Sequence, residues 1–264
     1  MSAKRTLFPH SCAGLAALDW PVVVALGRQY EGILVDIGGI IYFDDPVELA
    51  YTYHTSCHLK TQGIQVSLGP VDILRLSRGD KPASLGLEDA EWNTANSHGW
   101  AATIDHWCRL AVPIPGAIEK LMALRPARIA IVANQPREML AALRRDRVLR
   151  ACDVILLDSW CGFSKPDLSI FRYALRRLSV DPTKALMIGD RLDNDIEPAE
   201  RLGLNTLWIQ RRLWSGSLSA SDVPIKWHRR FVKEMNRHRS FLDGASRSSV
   251  INYSAVPRQE IKCP

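Results

Sequence analysis

The stretch Ala185-Leu186-Met187-Ile188-Gly189-Asp190-Arg191-Leu192-Asp193-Asn194-Asp195 decides the reading of this 264-residue chain. Four apolar residues stop at a glycine, and three aspartates follow within six positions. A short apolar run bounded by a turn signal predicts a buried strand over Ala185–Gly189. Glu197–Leu202 then predicts a helix, and Thr206–Ile209 a further strand. An acid-rich turn between a buried strand and a helix is a place where ligands are held in α/β folds.

The same rhythm extends toward the N-terminus. Arg128–Ala133 is an apolar strand followed by Asn134 and a helix opening near Pro136 and Glu138. Val154–Asp158 is another strand, followed by Lys165 and a helix from Pro166 to about Leu178. Gly32–Asp36 is apolar and β-branched and runs into Gly38-Gly39. Apolar strands alternating with helices predict an α/β fold, a parallel sheet with helices on both faces. The rhythm breaks between the first two strands. Asp44-Asp45-Pro46-Val47-Glu48 reads as a helix start, with Asp45 as cap, Pro46 at the first helical position and Glu48 three residues after the cap. Residues 46–112 lean helical and carry Tyr51, Tyr53, Trp92, Trp100 and Trp107, of which the three tryptophans read as core. Pro113-Ile114-Pro115-Gly116 punctuates, and Ala117–Leu124 is a short amphipathic helix.

Composition narrows the classes. With 47% hydrophobic and 23% charged residues, the chain reads as a folded globular protein, not disordered, collagenous or coiled-coil. No apolar stretch approaches the ~18–20 residues of a membrane span. Pro9, His10, Asp19 and Pro21 interrupt the N-terminal region, so no secretory signal is expected. Cys12, Cys57, Cys108, Cys152, Cys161 and Cys263 form no CxxC pair, which suits reduced thiols, a cytoplasmic setting and no zinc site. The net charge of +6 is unevenly spread: residues 211–264 hold 11 Lys/Arg against 4 Asp/Glu, and the rest of the chain 23 against 24. Attraction to polyanions would therefore belong to the tail alone, where Lys226-Trp227-His228-Arg229-Arg230 through Arg239 reads as a solvated segment more readily than a nucleic-acid contact. His54 and His58 stand one helical turn apart, but no third metal ligand accompanies them.

The strand ends thus carry Asp36, Asn134, Lys165 and Asp190 with Asp195. Opposed carboxylates repel unless a hard cation lies between them, and an oxygen-rich pocket suits Mg²⁺. A lysine beside them can bind phosphate as a point charge. Chemistry alone therefore points to a magnesium site handling a phosphate, with one carboxylate free to attack. The blander readings are a turn-forming Asp36, a helix-capping Asn134, a solvated Lys165, and Asp193 and Asp195 as charge at a helix N-terminus; for Asp193 the last is preferred.

Asp36-Ile37-Gly38-Gly39-Ile40, Val132-Ala133-Asn134-Gln135, Lys165-Pro166-Asp167 and Gly189-Asp190 with Asp195 resemble, in order, the four motifs of the haloacid dehalogenase (HAD) superfamily. The resemblance covers roughly residues 32–210. It implies a Rossmann-like three-layer parallel-sheet core (1–45 and 113–210), an inserted helical cap (46–112), and a basic extension (211–264). It implies further that Asp36 is a nucleophile forming an aspartyl-phosphate. Mg²⁺ would be held by Asp36, the Gly38 carbonyl, Asp190 and Asp195. Lys165 would steady nucleophile and phosphate, and Asn134, Lys165 and Gly39 would line the phosphate. The implied activity is hydrolysis of a small phosphorylated metabolite.

Two positions depart from the superfamily's phosphatases. Gly38 stands where a second aspartate usually serves as general acid and base, and Ala133 where a Ser or Thr hydroxyl binds phosphate. Losing a general acid costs about 10²–10⁴ in rate, and losing a charged hydrogen bond about 1.5–3 kcal/mol. Enhancements of phosphate-monoester hydrolysis reach ~10²¹, so neither loss alone abolishes catalysis. Asp44 or Asp45 would replace the missing acid by reaching in from the hinge of the insert. The alternatives are a catalytically impaired relative with a binding or regulatory role, and a dehalogenase. Dehalogenases of the superfamily also lack the second aspartate, but they need no metal and their fourth motif differs from Gly-Asp.

Overall fold

The computed structural model describes residues 5–7, 14–64, 81 and 85–209. The basic extension expected at 211–264, Cys12 and Cys263 lie outside these residues. Six strands form one all-parallel sheet: β1 (Arg5–Leu7), β2 (Gly32–Val35), β5 (Arg128–Ala133), β6 (Val154–Leu157), β7 (Ala185–Gly189) and β8 (Asn205–Trp208). Their spatial order is β1-β8-β7-β2-β5-β6, so the first long strand lies at the centre between β7 and β5. A two-residue pair, β3 (Tyr42–Phe43) antiparallel to β4 (Val112–Pro113), closes the chain at the two ends of the insert. Among the described residues the α-helices are α1 (Trp20–Gln29), α2 (Asp45–Thr61), α3 (Asp89–Ile104), α4 (Trp107–Leu110), α5 (Ala117–Ala123), α6 (Met139–Arg145), α7 (Asp158–Cys161), α8 (Leu168–Leu178) and α9 (Glu197–Arg201). Among the described residues, no helix is long and apolar enough to cross a membrane.

The central strands are buried at every position of β2 and β7, and at all but the first of β5. That explains why they read as unbroken apolar runs: a parallel strand covered on both faces has no polar side. The helix α8 is amphipathic and lays Ile170, Phe171, Ala174, Leu175 and Leu178 into a cluster with Leu34, Ala130, Val132 and Met187. It begins two residues later than the sequence suggests, because the Asp167 carboxylate accepts from the Ser169 N–H at 2.8 Å and caps it. Likewise α2 starts at Asp45 itself, one residue early, which leaves Asp44 in the connection. The N-terminal helix α1 was not expected, although Asp19-Trp20-Pro21 carries the same cap-and-proline signal as Asp45-Pro46.

The described residues divide into two compact units, one running up to 47 and resuming at 106, the other spanning 48–105. The second unit is helical and has its own core of Tyr51, Leu59, Leu87, Trp92 and Ala95, with Trp100 stacked on Tyr51 at 4.4 Å between ring centroids.

Phe171 is fully buried in the first unit's core. Phe171→Ala removes that ring from a close-packed site and is expected to destabilise by about 3–5 kcal/mol, read as a lowered midpoint in urea with an unchanged m-value.

Candidate active site

The carboxyl ends of β2 and β7 are neighbours, and both feed the same small volume. Asp36 is the first residue past β2; its N–H donates to the Ile188 carbonyl at 3.0 Å, which fixes the loop to the adjacent strand. Past β7, the chain makes one wide turn over Leu192–Ile196 before α9. The turn folds Asp195 inward, where its Oδ2 accepts from the Arg191 N–H at 3.0 Å. Lys165 arrives from the loop beyond β6 and α7. Its Nζ lies 2.8 Å from Asp36 Oδ1 and 2.6 Å from Asp195 Oδ1. All three are buried: Lys165 is 5% exposed, Asp36 7% and Asp195 0%.

Burial pushes the Asp36 carboxyl up to about 6; Lys165 pulls it down and the Asp195 charge adds to the rise. Burial works against the Lys165 charge as well, yet Asp195 and Asp36 together outweigh it and hold the ammonium above the ordinary lysine range. The lysine is therefore a fixed cation, not a proton source.

Asp190 completes the acid group. One carboxylate oxygen from each of Asp36, Asp190 and Asp195 lies within 4.8 Å of the other two. Among the described residues, this is the group of three with the spacing to hold a metal ion. Three carboxylates facing one lysine leave two negative charges uncompensated, and hard oxygen donors at this spacing fit Mg²⁺. Gly39 makes the close approach workable: its φ is +65°, and a β-carbon there would stand 2.9 Å from the Asp190 Cγ. The Asp190 carbonyl accepts from Trp208 Nε1 at 2.8 Å, a support that arises because Gly189 and Trp208 are register partners in β7 and β8.

Asn134 stands at the end of β5. Its Oδ1 accepts from the Lys165 N–H at 2.8 Å, and its Nδ2 donates to the Lys165 carbonyl at 2.8 Å. The side chain thus clamps the lysine's backbone on both sides. Ala133, which stands in place of a hydroxyl-bearing residue, is fully buried at the end of β5. Gly38 has space beside it that the carboxylate of Asp44 occupies. Asp193 lies apart from the acid group and pairs with Arg191 at 2.6 Å. In the second unit the His58 and His98 rings lie tilted against each other with 4.4 Å between centroids, and the histidines there form no three-ligand group among the described residues.

Sequence reasoning found the ends of β2 and β7 but gave no hint of the Trp208 brace or the Asn134 clamp. Both bonds join residues far apart in the chain, 18 and 31 positions respectively.

The chain is similar in sequence and fold to known proteins. Residues 162–217 match the HAD-hydrolase-like family model. A glyceraldehyde 3-phosphate phosphatase of Methanopyrus kandleri is 34% identical over 134 residues, 50% of this chain and 55% of that protein. The pyrimidine 5'-nucleotidase YjjG of Escherichia coli is 32% identical over 115 residues, 41% of this chain and 49% of that protein. The chain spans about half the length of the curated relatives it matches. Among solved structures, a HAD phosphatase from Thermococcus onnurineus superposes with a TM-score of 0.52 at 24% identity, covering 71% of this chain and 90% of that one. By fold, by the family-model match over residues 162–217 and by its partial relatives, the chain is similar to proteins of the haloacid dehalogenase-like superfamily.

Proposed function

We propose that this chain is a Mg²⁺-dependent phosphoric monoester hydrolase that passes the phosphoryl group of a small phosphorylated metabolite through Asp36. The observation that carries the reading is the meeting of three acids with one buried lysine at the ends of β2 and β7. Relatives named as phosphatases of glyceraldehyde 3-phosphate and of pyrimidine 5'-nucleotides support a small phosphorylated substrate.

In this reading Asp36, Asp190, Asp195 and the Gly38 carbonyl would hold the ion. When bound, Mg²⁺ supplies positive charge that screens the incoming phosphate from the carboxylates. Lys165 keeps Asp36 ionised in spite of its burial and offers its charge to the phosphoryl oxygens. A carboxylate oxygen of Asp36 attacks phosphorus, and the bond to the ester oxygen breaks. Water then attacks the aspartyl-phosphate at phosphorus, the bond to Asp36 breaks, and inorganic phosphate leaves with the carboxylate restored. Asn134 acts one step removed, by fixing the backbone from which Lys165 projects. Gly39 lines the same loop, where only a hydrogen leaves room for Asp190. The inserted helical unit, residues 48–105, takes the role of the substrate-selecting cap.

The test is hydrolysis of 4-nitrophenyl phosphate by wild type and Asp36→Asn, with Mg²⁺ and with a chelator. Turnover is expected to need the metal and to fall by about 10³-fold or more in the variant. Metal-independent turnover, or turnover that survives Asp36→Asn, overturns the reading.

Lys165→Met gives a second check that needs no substrate. Removing the one cation between buried carboxylates is expected to cost about 3–5 kcal/mol in the metal-free protein. Saturating Mg²⁺ should recover part of that loss, because the ion binds only the folded site and, with no ammonium to repel it, binds the variant more tightly than the wild type. Thermal melts with and without Mg²⁺ read the difference; an equal loss in both conditions would count against a metal in this pocket.

A further inference from the structure

The hydrolysis through Asp36 leaves one task unassigned: protonating the departing oxygen and later taking a proton from the attacking water. An ester of a poor leaving group needs such a donor, and its absence costs about 10²–10⁴ in rate. Asp36 is occupied as nucleophile. Lys165 is pinned between two acids, and Asp195 is bonded to Lys165 and to the Arg191 N–H.

The loop after Asp36 supplies a further acid. It folds back on itself: the Tyr42 N–H donates to the Ile37 carbonyl at 3.0 Å, and the Gly39 N–H donates to the Tyr42 carbonyl at 2.9 Å. The pairing of β3 with β4 and the bond from the Tyr42 hydroxyl to Asp146 Oδ2 at 2.9 Å hold the returning strand in place. This reversal brings residue 44 back beside residue 38. A β-carbon built on Gly38 would overlap Asp44 Oδ1, with Cγ 3.0 Å and Oδ2 3.1 Å away. The Asp44 carboxylate therefore fills the space into which a side chain at 38 would start, two residues past the nucleophile. Gly38 has no positive φ, so its backbone does not require glycine. Space requires it, and the occupant of that space is an acid.

We infer that Asp44 is the proton donor to the leaving oxygen and the proton acceptor from the attacking water, supplying from the end of β3 the group that Gly38 lacks. The inference rests on the hydrolase reading. Proton balance is then complete: the ester oxygen leaves as an alcohol with the proton of Asp44, and the attacking water returns one to the same carboxylate. The competing role for Asp44 is to start α2, since its carbonyl accepts from the Val47 N–H at 2.9 Å. Asparagine at 44 would preserve a helix-starting role, because it caps as well as aspartate; it cannot supply the proton.

The experiment compares kcat/KM for phenyl phosphate and 4-nitrophenyl phosphate under saturating Mg²⁺. The two esters have similar shape, but only the second leaves readily without a proton. Asp44→Asn is expected to lower kcat/KM for phenyl phosphate by about 10²–10⁴-fold, and for 4-nitrophenyl phosphate by at least tenfold less. In an Asp44→Ala background, Gly38→Asp should restore phenyl phosphate hydrolysis by at least tenfold, because the carboxylate returns from the neighbouring position. That double variant also decides the matter should Asp44→Asn melt below the assay temperature. Equal losses on both esters in Asp44→Asn, or no recovery in the double variant, overturn the inference while metal-dependent wild-type turnover keeps the hydrolase reading. A wild type inert toward both esters overturns the two together.

Discussion

The rest of the molecule depends on one buried ion triad, Lys165 between Asp36 and Asp195. Taking three charges out of water costs several kcal/mol per ion, recovered only if the partners meet in good geometry. No single segment can arrange that. Asp36 needs the end of β2, Asp195 the turn after β7, and Lys165 the loop beyond β6, with Asn134 at the end of β5 gripping its main chain on both sides. The strand order β7-β2-β5-β6 puts those four chain segments in sequence across one edge of the sheet. The apolar sheet beneath is rigid because its central strands are buried on both faces, and that rigidity holds the charges within hydrogen-bond distance of one another.

The triad also has the wrong charge to stand by itself. Two acids around a lysine leave one negative charge, and Asp190 adds another within the same 4.8 Å span. A pocket arranged only for stability would not gather a third carboxylate, since hydrophobic residues of similar volume are as stabilising or more so. The excess of acid over base is what a cation site would require. It connects the fold to the proposed chemistry more firmly than any one residue does.

Much of this was readable in the sequence, for a definite reason. Strands buried on both faces must be apolar throughout, so β2, β5 and β7 announce themselves, and the residues just past the end of a parallel strand lie at the ligand-binding edge. Asp36, Lys165, Asp190 and Asp195 could therefore be assembled from spacing and resemblance. The pieces that escaped are of two kinds. The two-residue strands β3 and β4 are too short to carry a period, and their pairing joins residues 42–43 to 112–113 across the whole insert. The side-chain work of Asn134 was legible as a cap or a phosphate contact; its bonds to Lys165 depend on how two loops meet. Asp44 and Asp45 were equivalent as sequence, and only the reversal of the loop over residues 37–42 brings the first of them to Gly38.

That reversal changes how the two departures from the superfamily pattern weigh against each other. At Gly38 the missing side chain leaves space that another carboxylate has taken, so a function can move without being lost. At Ala133 the methyl is fully buried at the end of β5 and adds no hydrogen-bonding group to the site. In the proposed reading the site would work by charge: a lysine, three acids spaced to hold a cation, and a fourth acid alongside. Charges act over longer distances than a hydroxyl's hydrogen bond and tolerate small displacements, especially in a buried pocket where screening is weak. In the proposed reading, a phosphate in such a site would be positioned by the lysine and the ion together, and a hydroxyl at 133 would be the part that can be spared.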